Sequence, residues 1–194
     1  MLSVGERFPD FRLTACVNRK PQTAFQPVAH DSYPGKWVLY FFWPKDFTPI
    51  CATELLAFGD LAPDFADRDC VVLGGSIDSE FVHLAWAMYG IGPEVLAVPF
   101  LSDVKRELTT ALGILDSREG VAARGTFLVD PGQVIRHASV NDFSVGRNPK
   151  EFLRILDALQ TDALCPSRWE KGQPVIERDT SFIENMKPLE LTTR

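Results

Sequence analysis

Cys51 carries the clearest chemical signal in the chain. It follows Thr48-Pro49-Ile50 and precedes Ala52-Thr53-Glu54-Leu55, after the apolar run Phe41-Phe42-Trp43. Threonine then proline is a good N-cap and first-position pair, so the spacing predicts a helix whose first turn holds the cysteine. Helix N-termini present amides without intrahelical acceptors and a partial positive charge, which favour an anion. A sulfur placed there is favoured as thiolate, the form that attacks electrophiles. The other cysteines, Cys16, Cys70 and Cys165, are scattered, with no CxxC pair. That pattern speaks against a disulfide scaffold, a zinc ribbon and a thioredoxin-type dithiol. Cys70 opens the apolar run Val71-Val72-Leu73 and reads as a packed core thiol, and Cys16 has no implied partner. His30, His83 and His137 lie far apart and suggest surface or core positions rather than a metal site. There is no glycine-rich phosphate loop, and no cofactor is implied.

The 194 residues suit one domain plus an extension, and 45% hydrophobic with 24% charged residues matches an ordinary globular chain. A net charge of −6 disfavours nucleic acid and anionic membrane as partners. The segment Met1 to Arg7 lacks the features of a secretory signal, and no apolar run reaches the length of a membrane span. The cytoplasm is therefore the expected location.

The elements that must position Cys51 follow from periodicity. Trp37 to Phe42 and Cys70 to Ile77 are apolar on both faces, as strands covered on both sides would be. Leu55, Phe58, Ala62 and Phe65 recur at helical spacing, and Asp78 or Ser79 caps a helix carrying Phe81, Leu84, Ala85 and Met88. A short strand is expected over Val98 to Leu101, and a helix over Arg106 to Leu112. Pro131-Gly132 separates two strand-like runs as a hairpin would, and Asn148-Pro149-Lys150-Glu151 opens a final helix. Residues Val4 to Leu13 read as an entry segment, and Val17 to Pro34, with three prolines and no period, as an irregular excursion. The alternation suggests an α/β fold, a three-layer sandwich with a thioredoxin-like core over 1–162 and a C-terminal tail over 163–194.

Pro44-Lys45-Asp46-Phe47-Thr48-Pro49-Ile50-Cys51 resembles the Pro-x-x-x-Thr-x-x-Cys signature of the peroxiredoxins. Further landmarks follow in order: Gly74-Gly75-Ser76-Ile77-Asp78-Ser79, Pro99 to Asp103, Arg124 to Asp130 and Val145-Gly146-Arg147-Asn148. Leu164-Cys165-Pro166 with Trp169, Lys171 and Gly172 is similar to the resolving tail of two-cysteine members, nearest the alkyl hydroperoxide reductase C branch. Pro49-Ile50 before the cysteine and Ala52 after it instead resemble one-cysteine members. The insertion and Tyr-Phe tail of overoxidation-sensitive members are absent, which implies resistance to sulfinic acid formation.

The resemblance implies a thiol peroxidase acting on hydrogen peroxide and organic hydroperoxides. It assigns Cys51 as the peroxidatic sulfur, Arg124 as its guanidinium, and Thr48 as a hydroxyl that holds the sulfur and orients the peroxide. Pro44 shields the pocket, Glu54 buttresses an arginine, Arg124, and Arg147 is a further arginine of the site. Cys165 resolves the sulfenic acid, from a neighbouring subunit of an antiparallel homodimer within a ring of dimers. The reductant could be a thioredoxin-like protein, a flavoprotein disulfide reductase or an alkylhydroperoxidase adaptor. Two alternatives stay open: a one-cysteine mechanism with Cys165 passive, and a holdase-type scaffold with a vestigial pocket.

Overall fold

The structure is a computed structural model that describes residues 1–91 and 98–177, so the last part of the expected 163–194 tail lies outside the described residues. The chain divides into two compact units, Met1–Leu153 and a second from Arg154 onward.

The first unit is built on β3 (Trp37–Phe42) and β4 (Cys70–Ser76), paired in parallel from Trp37↔Cys70 to Phe42↔Gly75. Both are buried almost throughout, as their unbroken apolar runs require. Gly74 is needed for space: a Cβ there would lie 2.6 Å from the Trp43 ring and 2.9 Å from Phe41. On the β4 side the sheet continues through β5 (Phe100–Ser102), β1 (Arg12–Cys16) and β2 (Phe25–Ala29). On the β3 side it continues through β8 (Arg124–Val129) and β9 (Ile135–Asn141), giving a seven-stranded order β2-β1-β5-β4-β3-β8-β9. β3, β4 and β5 are parallel and the other pairings antiparallel, including the hairpin at Pro131-Gly132.

Helices cover both faces. Phe58 of α1 (Pro49–Ala66) stacks on Phe41 at 3.9 Å between centroids. On the opposite face Tyr40 stacks on Phe8 at 4.1 Å, in a cluster that includes Leu108 of α3 (Glu107–Ala111) and the adjacent Leu112. α2 (Glu80–Tyr89) starts at Ser79, whose hydroxyl accepts from the Val82 amide, so Ser79 rather than Asp78 is the cap. This is the α/β sandwich expected from the sequence. α4 (Pro149–Gln160) opens after Asn148, whose side chain accepts from the Lys150 amide.

Three local expectations change. The Val17 to Pro34 excursion contains β2, an edge strand, where Pro27 is tolerated because an edge leaves one row of backbone groups unpaired. The entry segment ends early, because β1 begins at Arg12. A two-stranded ladder, β6 (Leu115–Asp116) with β7 (Val121–Ala122), brackets Ser117 to Gly120.

In the second unit, Leu164 and Ile176 form an antiparallel bridge that closes a loop around Pro166 to Gly172. Trp169 is buried, its Nε1 donates to Gln173 O at 3.0 Å, and its carbonyl accepts from Arg154 Nη1 at 3.1 Å. Residues 166–175 therefore form a folded loop. Among the described residues no helix is long and apolar enough to cross a membrane.

Candidate active site

β3 ends at Phe42, and the chain turns through Trp43 to Phe47 before α1 begins. Thr48 sits at the N-cap in extended backbone with Pro49 at the first helical position, as the sequence suggests. Its side chain makes no cap bond, however: the hydroxyl donates to Lys45 O at 2.8 Å. The proton of Thr48 is thereby committed, and the oxygen's lone pairs remain to accept from a ligand. Cys51, in the first turn, is 1% exposed.

Arg124, the first residue of β8, brings its guanidinium to that sulfur. Nη1 lies 3.4 Å from Cys51 Sγ and 2.7 Å from Glu54 Oε2, while Nε and Nη2 both donate to Phe143 O, at 3.0 and 2.9 Å. Glu54, one turn beyond Cys51, faces a second guanidinium as well. Arg147 Nε and Nη2 donate to its two oxygens at 2.7 and 2.8 Å, and the Arg147 amide adds a bond of 2.9 Å. Arg147 Nη1 reaches Gly125 O at 2.8 Å, and its plane lies against Phe41 and Phe58. All three side chains are at most 4% exposed. One buried carboxylate between two buried guanidiniums leaves a local positive excess beside the sulfur.

The sulfur opens into a cavity of about 370 Å³ lined by Pro44, Lys45, Thr48, Cys51, Glu119, Val121, Arg124 and Phe143. The structure thus joins Pro44, Thr48, Cys51 and Arg124 around one space, with Glu54 and Arg147 behind it. Sequence reasoning missed the rim. Lys45 and Glu119 form an ion pair of 3.5 Å, and Val121 and Phe143 supply an apolar wall. Lys45, Glu119 and Phe143 come from three separate loops and Val121 opens β7, and no periodicity marks them.

Cys165 belongs to the second unit. It is half-buried, with Sγ 3.5 Å from Thr161 Oγ1 and 3.8 Å from Ala158 O. Cys16 and Cys70 are buried in the sheet. Burial pushes the Cys16 thiol up to about 11 and the Cys70 thiol up to about 12, from an ordinary 9.0. Both stay protonated at neutral pH, so alkylation of the folded protein at pH 7.5 or so should leave them unmodified by mass spectrometry. The sign of the linked effect on stability follows: a thiol whose folded value is raised stabilises the fold below pH 9 and ceases to as pH climbs toward 12. The urea midpoint should fall across that window, and substituting both thiols by alanine should flatten the decline.

Residues 4–138 match the AhpC/TSA family. The chain belongs to that family. Alkyl hydroperoxide reductase C of Mycolicibacterium smegmatis is 48% identical over 184 residues, 91% of this chain and 94% of that protein. Peroxiredoxin-2 of Mus musculus is 43% identical over 183 residues, 90% of this chain and 89% of the relative. Among solved structures, Mycobacterium tuberculosis AhpC superposes with a TM-score of 0.79 at 46% identity, covering 88% of this chain and 99% of that one. The reduced 2-Cys peroxiredoxin of Plasmodium vivax gives 0.85 at 28% identity, covering 95% and 100%. As an AhpC/TSA member, the chain is an enzyme of the thiol-dependent peroxidase class.

Proposed function

We propose that this AhpC/TSA enzyme reduces hydrogen peroxide and organic hydroperoxides through Cys51. The single observation that carries this is the Arg124 guanidinium directed at the Cys51 sulfur in a helix first turn, at the foot of a cavity walled by Val121 and Phe143. The thiolate attacks one peroxide oxygen. The S–O bond forms, the O–O bond breaks, and the other oxygen leaves as alkoxide or hydroxide and takes a proton to become alcohol or water. Thr48 Oγ1 accepts the peroxide O–H, because its own proton is held by Lys45 O. Arg124 donates toward the oxygens as negative charge builds on the leaving one. Pro44 offers no N–H and helps keep water off the sulfur.

The resulting sulfenic acid condenses with the Cys165 thiol of a partner subunit, forming a disulfide and one water. An external dithiol, whether thioredoxin-like, flavoprotein or an alkylhydroperoxidase adaptor, then returns both sulfurs to thiols. Two features support self-association. Among the described residues β9 is an outer strand of the sheet, and past Ile135, whose backbone bonds Gly5 and Glu6, it offers an edge for antiparallel pairing. Phe47, Phe81 and Tyr89 are 56%, 66% and 82% exposed, and an apolar surface of that kind suits contact between dimers in a ring.

Non-reducing electrophoresis after one equivalent of peroxide tests the route. A dimer cross-linked through Cys51 and Cys165 is expected. A monomer carrying Cys51 sulfenic acid beside an intact Cys165 thiol would instead indicate the one-cysteine mechanism. The apolar wall makes a further prediction. Phe143→Ala should lower kcat/KM for cumene hydroperoxide relative to hydrogen peroxide by about tenfold, since only the organic substrate has a body to pack there.

A further inference from the structure

Behind the loop that carries Pro44 and Thr48 lies a buried ionisable pair that the peroxide chemistry does not use. His83 of α2 and Asp46 of the loop are 0% and 1% exposed at their side chains, with Nδ1 and Oδ2 2.7 Å apart. His83 Nε2 lies 3.2 Å from Leu101 O, an oxygen that can only accept, so this nitrogen carries a proton. The second oxygen of Asp46 accepts from Trp43 Nε1 at 2.7 Å. The Asp46 amide donates to Asp78 Oδ2 at 2.9 Å, and Ser76 Oγ donates to the same oxygen at 2.8 Å. Asp46 is thus fastened from β4, β5, α2 and the end of β3 together. Burial raises the Asp46 carboxyl, and the His83 hydrogen bond opposes the rise.

The next residue shows what this fastening does. Phe47 has φ 58, a left-handed conformation that a bulky side chain adopts only when its surroundings impose it. That turn sets the direction of Thr48, and Thr48 starts the helix bearing Cys51. On one side of Phe47 stands the Asp46 anchor, and on the other the first turn of α1.

We propose that the Asp46–His83 pair is a positioning latch for the peroxidatic loop: closed, it holds Phe47 and the Cys51 turn in the geometry that receives peroxide, and its release favours the unwinding that disulfide formation requires. This rests on the two-step reading above. To reach a bonding distance of about 2 Å from a second sulfur, Cys51, buried and packed beside Arg124, must leave its site. The latch therefore opposes the second step while it favours the first. It also sets how long the sulfenic acid stays exposed to another peroxide, which would add one oxygen to give sulfinic acid and release water or alcohol.

The experiment follows both steps by rapid mixing, with mass spectrometry of disulfide and sulfinic acid products, in wild type, His83→Phe, Asp46→Ala and Asp46→Asn. His83→Phe keeps a ring in the space, Asp46→Ala removes the anchor from the loop side, and Asp46→Asn keeps its shape. An asparagine can still accept from Trp43 Nε1 and donate to His83 Nδ1, which then acts as an acceptor. In the first two variants, sulfenic acid formation should slow by up to about 10²-fold, the cost of a misplaced reacting group. Disulfide formation should accelerate by about tenfold, on the scale of a lost buried hydrogen bond, and sulfinic yield should fall. Asp46→Asn should restore both rates to near wild type. Should His83→Phe fail to fold, Asp46→Ala decides the matter alone. A merely structural pair would slow both steps together or leave both unchanged, and either result overturns the proposal. If wild-type Cys51 forms no sulfenic acid with peroxide, the proposed function fails instead.

Discussion

Cys51→Ser is expected to bring peroxide turnover down to the uncatalysed background, a loss of up to ~10⁶-fold, the scale reached when a covalent nucleophile is deleted. A hydroxyl at this position remains neutral, so the guanidinium of Arg124, 3.4 Å from the sulfur, has no nucleophile to act beside. The fold should survive, since serine keeps the shape of cysteine with a smaller atom, and the buttress of Arg124 lies on Glu54 and Phe143 rather than on Cys51. Circular dichroism and the urea midpoint should therefore match wild type within about 1 kcal/mol, the ordinary scale for a conservative change. Cys165→Ser should behave differently. It should consume about one peroxide per subunit and then stop without a thiol reductant, because sulfenic acid forms but has no internal partner. Unchanged steady turnover in Cys51→Ser would move the catalytic function away from this sulfur and revive the scaffold alternative.

Glu54→Gln carries the second large effect, and it acts on stability and rate together. The carboxylate binds Arg124 once and Arg147 through both oxygens, and none of the three is more than 4% exposed. A neutral amide has one oxygen and an N–H group that opposes the facing guanidinium donors. Two buried positive charges would then lack their shared counterion, a change that costs about 3–5 kcal/mol in buried ion pairs. A urea denaturation series should register a loss of that size. The guanidinium of Arg124 would also lose one of its two fastenings, keeping Phe143 O alone, so kcat/KM should fall by about 10²–10³-fold, as when an electrostatic donor is displaced. The effect tests Glu54 as an internal buttress: a loss of less than about 0.5 kcal/mol, the scale of an exposed surface residue, would contradict that role.

The central strands were legible because burial on both faces writes an unbroken apolar run: Trp37 to Phe42 and Cys70 to Ser76 announce themselves without reference to partners. The Thr48-Pro49 pair likewise marks a helix start by local chemistry alone, and the motif around Cys51 located the sulfur. Edge elements were harder. β2 contains Pro27 and two exposed residues, and only its pairing with β1 makes it a strand. β6 and β7 are two residues each, too short to carry a period. The cavity wall was illegible for another reason. Lys45, the Glu119 to Val121 stretch and Phe143 converge from three separate parts of the chain, and nothing local marks them as cavity lining. The family likeness supplied Arg124, Glu54 and Arg147 and the Glu54–Arg124 contact, but not that Arg147 shares the same carboxylate. That Glu54 serves both arginines, and that Thr48 spends its proton on Lys45 O, are facts of packing. Asp46 and His83 were missed because a lone histidine at helical spacing reads as ordinary core until its two partners, 37 and 18 residues away, are brought to it.

The most direct measurement is chemical trapping of the oxidised sulfur. Cys165→Ser protein is treated with one equivalent of hydrogen peroxide in the presence of a sulfenic-acid-specific nucleophile, and the adduct is mapped by peptide mass spectrometry. One adduct per chain on Cys51, formed far faster than any modification of Cys16 or Cys70, is the expected result. An unmodified Cys51, or labelling spread evenly over the three remaining cysteines, would contradict the assignment of this sulfur as the site of peroxide attack.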